Sequence, residues 1–277
     1  MKYMRKTILL LLFTMFIVSE SCVGKKNNGD IIVRLETTYG TIKVKLYPET
    51  VKHRDNFLKL VNAGYYNGVL FHRVIANFMI QAGDPKSKTA QAGEMLGSGD
   101  VGYTIPAEFI YPQYYHKRGA LAAAREGDQQ NPKKASSGCQ FYIVQGKKFT
   151  DAQLDSLEGV RMVKLEEKMF QEIGQKKLAE ITRYRKENNQ KKLDAMGDSI
   201  MTVVQTHLKN HPTYKYSAQQ RNDYKTLGGS PHLDGNYTVF GEVIDGLNIV
   251  DKIANATTDD NDRPIENIKV IKATVEK

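Results

Sequence analysis

The sequence predicts a mainly β protein: a closed eight-stranded antiparallel barrel capped by two helices, with an α-helical hairpin inserted between two of its strands. Three observations carry this expectation. Apolar residues alternate with period two in a pair of runs beginning at Ile31, and six further short strand-like runs recur between turn signals. From residue 150 the texture changes, and apolar residues fall at helical spacing among many Lys and Glu. Short strands in this number suffice to close an antiparallel barrel.

The chain opens with Lys2, Arg5 and Lys6 ahead of an apolar run at residues 8–18. That run falls short of the roughly 20 residues a membrane-spanning helix needs, so residues 1–21 read as an export signal. Small residues Ser19 and Ser21 put cleavage before Cys22. Two processing routes cut at that bond. In the first, Cys22 is lipidated and the protein is anchored in the cell envelope, facing the periplasm, with residues 22–30 as a polar linker. In the second, ordinary signal-peptidase cleavage releases a soluble periplasmic product. Ser19 and Glu20 fit the lipoprotein box imperfectly, since an aliphatic and a small residue are usual there. Cys22 and Cys139 are the only cysteines, so acylation of the first rules out an intramolecular disulfide, and stability then comes from packing.

Ile31, Val33 and Leu35, then Ile42, Val44 and Leu46 across a Thr38-Tyr39-Gly40 turn, form the first hairpin. Pro48 in a first turn, Val51, Phe57, Leu58 and Val61 at helical spacing, and Gly64 as a stop give the first helix. Strands follow at residues 69–75, 78–81, 119–123, 141–144, 238–243 and 268–275, with a second helix around 247–254 after Gly246. The insertion, residues 150–225, divides the barrel into parts at 31–149 and 226–277. It begins with a capping box, Thr150-Asp151-Ala152-Gln153, followed by Leu154, Leu157, Leu165, Met169, Ile173, Leu178 and Ile181. A second set, Leu193, Met196, Ile200, Val203 and Leu208, ends at His211-Pro212, where a helix stops. The mixed charges describe a solvated face rather than one that enters a membrane.

Several chemistries are excluded. Gly97-Ser98-Gly99-Asp100-Val101-Gly102 fits a dinucleotide fingerprint, but no strand precedes it and Pro106 stands where a helix is required. Asp259, Asp260 and Asp262 lack metal-loop spacing and read as a structural turn, and the six histidines form no metal-binding pair. There is no nucleophile elbow, and Cys139 reads as a small buried residue. No cofactor or metal is implied. The formal charge of +9 falls to about +7 once a signal carrying three basic residues and one acidic residue is removed. Export takes nucleic acid out of reach as a partner, so the basic balance reads as a solvated surface near anionic lipid.

One segment resists these bland readings: Phe71-His72-Arg73-Val74-Ile75-Ala76-Asn77-Phe78-Met79-Ile80-Gln81-Ala82-Gly83-Asp84. Alternation puts Phe71, Arg73 and Ile75 on one face of a strand, and Met79 with Gln81 on one face of the next. Taken alone, Arg73 reads as a snorkelling or salt-bridged residue more readily than as a catalyst. The stretch resembles the signature segment of cyclophilins, however, and three further blocks in the same order agree. They are Gly102-Tyr103-Thr104-Ile105-Pro106-Ala107-Glu108-Phe109; Gly119 to Ala124 with Ser137 to Ile143; and Pro231-His232-Leu233-Asp234-Gly235 through Val243.

The resemblance implies a peptidyl-prolyl cis-trans isomerase acting on proline-containing polypeptides and assisting the folding of exported proteins. It implies that Arg73 is catalytic with Gln81 beside it, and that Phe78, Met79, Tyr142 and Leu233 line a proline pocket. His72 precedes the catalytic arginine, while Gln140 and Ala124 lie along the substrate groove. Tyr142 stands where the family usually has Phe. His232 replaces a tryptophan, Arg125 an asparagine and Tyr237 a histidine, which implies altered preference. A reading of a different class is a non-catalytic module that binds proline segments, or a holdase that grips clients with the insertion.

Overall fold

In a computed structural model, residues 29–210 and 215–276 are described; the stretch read from sequence as an export signal, Cys22 and the expected helix stop at His211-Pro212 lie outside them. Strands β1 (Ile31–Thr37) and β2 (Gly40–Leu46) form the first hairpin, with fully buried Val33 opposite Val44 and Leu35 opposite Ile42. Helix α1 (Val51–Asn62) starts after Pro48 rather than around it. Thr50 precedes the helix without a side-chain cap, and Glu108 does the capping from a distant loop. Its carboxylate accepts the N–H groups of Lys52 and His53 at 3.0 Å each, two donors that an α-helix leaves unpaired.

Strands β3 (Phe71–Ile75) and β4 (Met79–Ala82) follow, then β5 (Thr104–Ile105), β6 (Ala120–Ala123), β7 (Ser136–Ser137) and β8 (Phe141–Val144). Beyond the inserted helices come β9 (Val239–Asp245), α6 (Leu247–Ala254) and β10 (Val270–Glu276). The main sheet has eight antiparallel strands in the order β10-β1-β2-β9-β6-β8-β4-β3, and β5 pairs with β7 in a separate two-residue ladder. Among the described residues, the end strands β10 and β3 form no ladder. They are linked by a bridge between Leu70 and Lys269, flanked by hydrogen bonds of 2.8 Å from Phe71 N–H to the Ile268 carbonyl and from Val270 N–H to the Val69 carbonyl.

One face of the sheet and the helices α1 and α6 bury the main core. Phe57 lies at its centre, with ring centroids of Tyr66, Phe141 and Phe240 between 5.0 and 5.4 Å away. A smaller cluster on the opposite face gathers Met79, Ala120, Ala122, Tyr142, Val144 and Val239.

The inserted segment is more than a hairpin. It contains α2 (Asp151–Lys176), α3 (Leu178–Lys186), α4 (Gln190–Asn210) and α5 (Ala218–Thr226). Thr150 and Gln153 form the anticipated capping box, and Ser217 with Gln220 form a second at the start of α5. Asn188, at φ +50°, turns the chain between α3 and α4, a backbone conformation that Asn tolerates better than most residues. The base of the arm packs Leu154, Tyr216 and Tyr224 against Tyr115, Phe149 and Leu157. Its distal part buries little beyond Ile200 and Val204 of α4. Gly229 is required where the chain leaves the arm: a Cβ there would lie 2.4 Å from the His116 carbonyl and 2.6 Å from the Tyr224 ring. Among the described residues, no helix is long and apolar enough to cross a membrane.

Candidate active site

The tight β3–β4 hairpin sets Arg73 directly opposite Gln81, and β8 places Tyr142 opposite Gln81 on its other side. Asn77 makes the turn possible with φ +61°, and its N–H donates to Gln145 Oε1 at 2.6 Å. The simple alternation expected in β3 fails at one point. Phe71 pairs with Ala82 and Arg73 with Gln81, so His72 is an extra residue in a β-bulge. Phe71 therefore joins the main core with Val74, while Ile75 packs in the opposite cluster and Arg73 is exposed.

These strands form the floor of a cavity of about 290 Å³. Of the residues singled out from sequence, His72, Arg73, Phe78, Met79, Gln81, Ala124, Tyr142, Leu233 and Tyr237 line it. Gln140 lines an adjoining groove of about 750 Å³, which shares Gln81, Ala124 and Arg125 with the cavity. His232 lies outside both linings and packs against Phe78, ring centroids 5.4 Å apart. Cys22 lies outside the described residues. Cys139 is free and buried, and burial pushes its thiol pKa up.

The polar groups are arranged in a chain. Gln140 donates from Nε2 to the carbonyls of Gly97 and Gly99, each at 2.8 Å, and accepts at Oε1 from Gln81 Nε2 at 2.9 Å. The Gly97–Gly102 loop serves the fold, because the N–H groups of Gly97 and Gly99 donate to the Asp84 carboxylate at 2.6 and 3.1 Å. A side chain at Gly99 would collide with that carboxylate, its Cβ falling 1.8 Å from Oδ1. His72 is buried, and among the described residues neither of its ring nitrogens lies within hydrogen-bond geometry of a partner. Burial lowers its pKa and outweighs the nearby Asp84 charge, so the imidazole is neutral at pH 7.

Sequence reasoning missed two pairings that shape the rim. Arg73 Nε lies 3.5 Å from Asp262 Oδ2. Asp262, at φ +61°, belongs to the turn read from sequence as structural, and its carbonyl accepts the Val74 N–H at 2.8 Å, fixing that turn to β3. On the opposite rim the Arg125 guanidinium sits 4.4 Å from the centroid of the Tyr237 ring and pairs with Asp128 at 2.7 Å. Two of the departures from the usual pattern, Arg125 and Tyr237, thus form one stacked unit. Both pairs join residues far apart in sequence, so no local spacing signals them.

The family model of the cyclophilin type peptidyl-prolyl cis-trans isomerase/CLD matches residues 32–275. A Staphylococcus aureus (strain COL) protein provisionally named a peptidyl-prolyl cis-trans isomerase is 29% identical over 252 residues, covering 90% of this chain and 93% of its own length. A Streptococcus pyogenes serotype M6 protein, provisionally named a bifunctional phosphatase/peptidyl-prolyl cis-trans isomerase, is 30% identical over 239 residues, covering 85% of this chain and 37% of its own. A crystal structure of a Cryptosporidium parvum cyclophilin type peptidyl-prolyl cis-trans isomerase has the same fold, with a TM-score of 0.51 at 21% identity over 90% of this chain and 99% of that one. A second structure of that protein, obtained in the presence of the dipeptide Ala-Pro, gives a TM-score of 0.50. Because the family match extends from β1 to β10, the chain belongs to the cyclophilin-type peptidyl-prolyl cis-trans isomerase family.

Proposed function

We propose that the protein rotates X-Pro bonds in exported polypeptides, with Arg73 as the catalytic residue and Gln81 as its neighbour at the prolyl nitrogen. Phe78, Met79, Tyr142 and Leu233 hold the proline ring in this reading. Ala124, Gln140 and Tyr237 follow the flanking chain, His72 adds to the cavity wall, and His232 backs Phe78. The observation that carries it is the placement of Arg73 and Gln81, opposite each other on paired strands at a cavity that also presents the apolar side chains of Phe78, Met79 and Leu233. The parallel for the ligand class is the Cryptosporidium parvum protein studied with Ala-Pro.

Rotation removes the partial double-bond character of the amide, a barrier of roughly 18–20 kcal/mol, and breaks no covalent bond. The site has to favour the twisted amide, whose nitrogen lone pair becomes free to accept a hydrogen bond. A guanidinium supplies a charged, rigid fork of donors for it. A charge-assisted bond made only in that state contributes about 1.5–3 kcal/mol, roughly ten- to a hundredfold in rate, and the neighbouring apolar side chains of Phe78, Met79 and Leu233 strengthen it. The decisive comparison is isomerisation of a short X-Pro peptide by the full-length chain and by Arg73→Ala. Near-normal turnover in a folded Arg73→Ala protein would sink the assignment.

The export signal and Cys22 support a lipid-anchored, periplasm-facing location, and the envelope's exported chains are then the clients. Radiolabelled fatty acid incorporated by the wild type but not by Cys22→Ser checks the anchor. We also infer that the bridge at Leu70 and Lys269 completes the barrel. A holdase role beside catalysis draws support from the arm, where Val160, Val163, Leu178 and Val203 are exposed.

A further inference from the structure

We propose that the base of the helical arm sets the shape of the proline pocket through a buried hydrogen-bonded relay, with Asp234 as its positioning residue. What the pocket holds rests on the isomerase reading above; the relay is a property of the fold. Tyr142 walls the cavity, and its hydroxyl lies 3.0 Å from Nε2 of fully buried His116. Nδ1 of His116 lies 3.0 Å from Asp234 Oδ1, and the His116 backbone N–H donates to that same oxygen at 2.8 Å. A carboxylate at Nδ1 holds the ring proton there, so Nε2 accepts from the Tyr142 hydroxyl. Burial raises the pKa of that phenol well above its usual value, which keeps it a donor.

The other end of the relay belongs to the arm. Asp234 Oδ2 accepts from the hydroxyl of Tyr224 in α5 at 2.6 Å, and the Asp234 carbonyl accepts from Arg161 Nη2 in α2 at 2.6 Å. The Arg161 guanidinium lies 5.2 and 5.4 Å from the ring centroids of Tyr111 and Tyr216, and the Tyr216 hydroxyl donates to the Pro231 carbonyl at 3.4 Å. Three arm residues thus converge on the short segment that presents Leu233 to the cavity. Asp234 is 1% exposed, and a carboxylate at that depth depends on each of its donors. A displacement of α5 is therefore passed to Leu233 directly and to Tyr142 through His116. The tyrosine hydroxyl is what joins the pocket wall to the relay; the phenylalanine usual at this position has no such group.

The test uses the full-length chain carrying Tyr224→Phe, Tyr142→Phe or both. Kinetics with an X-Pro peptide are paired with methyl NMR of Met79 and Leu233 in the absence of peptide. Each single change is expected to raise KM roughly two- to tenfold, the range of one lost hydrogen bond, with kcat held. Tyr224→Phe is expected to move both methyl signals, and the double variant to do no more than the larger single one. A Tyr224→Phe protein that melts earlier but keeps wild-type KM and methyl signals overturns the relay, as do additive effects in the double variant. Arg161→Lys, expected to shift KM and the methyls in the same direction, decides the matter if Tyr224→Phe does not fold. Absence of turnover in the wild type would refute the isomerase reading alone, and the methyl signals would still decide the relay.

Discussion

Arg73 keeps 44% of its side chain in solvent, with one carboxylate 3.5 Å away, so its guanidinium can turn toward a bound amide without leaving an ion buried. Arg73→Ala should therefore preserve the far-ultraviolet circular dichroism of the wild type and lower kcat/KM on the order of a hundredfold. The neighbouring Asp262 acts more weakly, because a half-exposed pair contributes about 0.2–1 kcal/mol and is screened by salt. Asp262→Ala should shift kcat/KM by less than about fivefold, with the difference from wild type shrinking as salt is raised; a hundredfold loss would make Asp262 essential. Sequence singled out Arg73, Gln81 and other residues that the fold brings to one cavity because they fall in ordered blocks. Asp262 and the Arg125–Tyr237 stack were out of reach, since tertiary packing alone makes neighbours of them.

At the scale of elements, α1 shows how a block read as sequence signature serves the fold. Glu108 accepts two amide N–H groups at the start of α1 and lies 2.6 Å from His53 Nδ1, while His53 Nε2 meets Ser136 at 2.9 Å. Glu108→Gln places an NH₂ group against one of those donors, so it should cost about 1–3 kcal/mol of stability in urea titration while kcat stays close to wild type. An unchanged midpoint would mean that water replaces the carboxylate there. The first helix was legible from periodicity, but its start was misjudged, because Pro48 looked like a first-turn residue and the true cap comes from a remote loop. The α5 helix carries a capping box at Ser217 that spacing could have revealed, whereas the break between α2 and α3 at Lys177 follows no local signal.

Across the whole molecule, titration should favour neutral pH. Burial lowers the pKa of His53, His72 and His232 below 6.5 in the folded state, in the case of His53 despite the adjoining Glu108. Glu108, Glu242 and Asp251 also lie below their usual values: burial works against ionisation, but hydrogen bonds from His53 and the α1 amides, from Lys117 and Lys45, and from Arg118 and Gln145 outweigh it. For every one of these groups the unfolded chain takes up the proton first. Their stabilisation is complete above about pH 6.5, falls below it as the imidazoles are drawn toward charge, and falls again as the carboxylates protonate below about 4.5. Thermal melting between pH 8 and about pH 2 should trace that two-stage decline, and a melting temperature flat across the range would contradict it. Excision of the distal arm, residues 171–199, leaves the Tyr224 core and the sheet intact, so peptide isomerisation should stay within about twofold of wild type. Replacing the exposed Val160, Val163, Leu178 and Val203 together by Ser should lower suppression of client aggregation, and if it does not, the holdase role is lost. The overall architecture was readable because eight short strands and one charged helical stretch differ so plainly in period; the extra residue in β3 was not, since a bulge leaves no mark on composition. That bulge has a geometric consequence. Without His72, Phe71 and Arg73 would follow each other opposite Ala82 and Gln81 in an unbroken ladder. The extra residue turns the imidazole into the cavity wall, so β3 spends one residue of its length on the cavity rather than on the ladder.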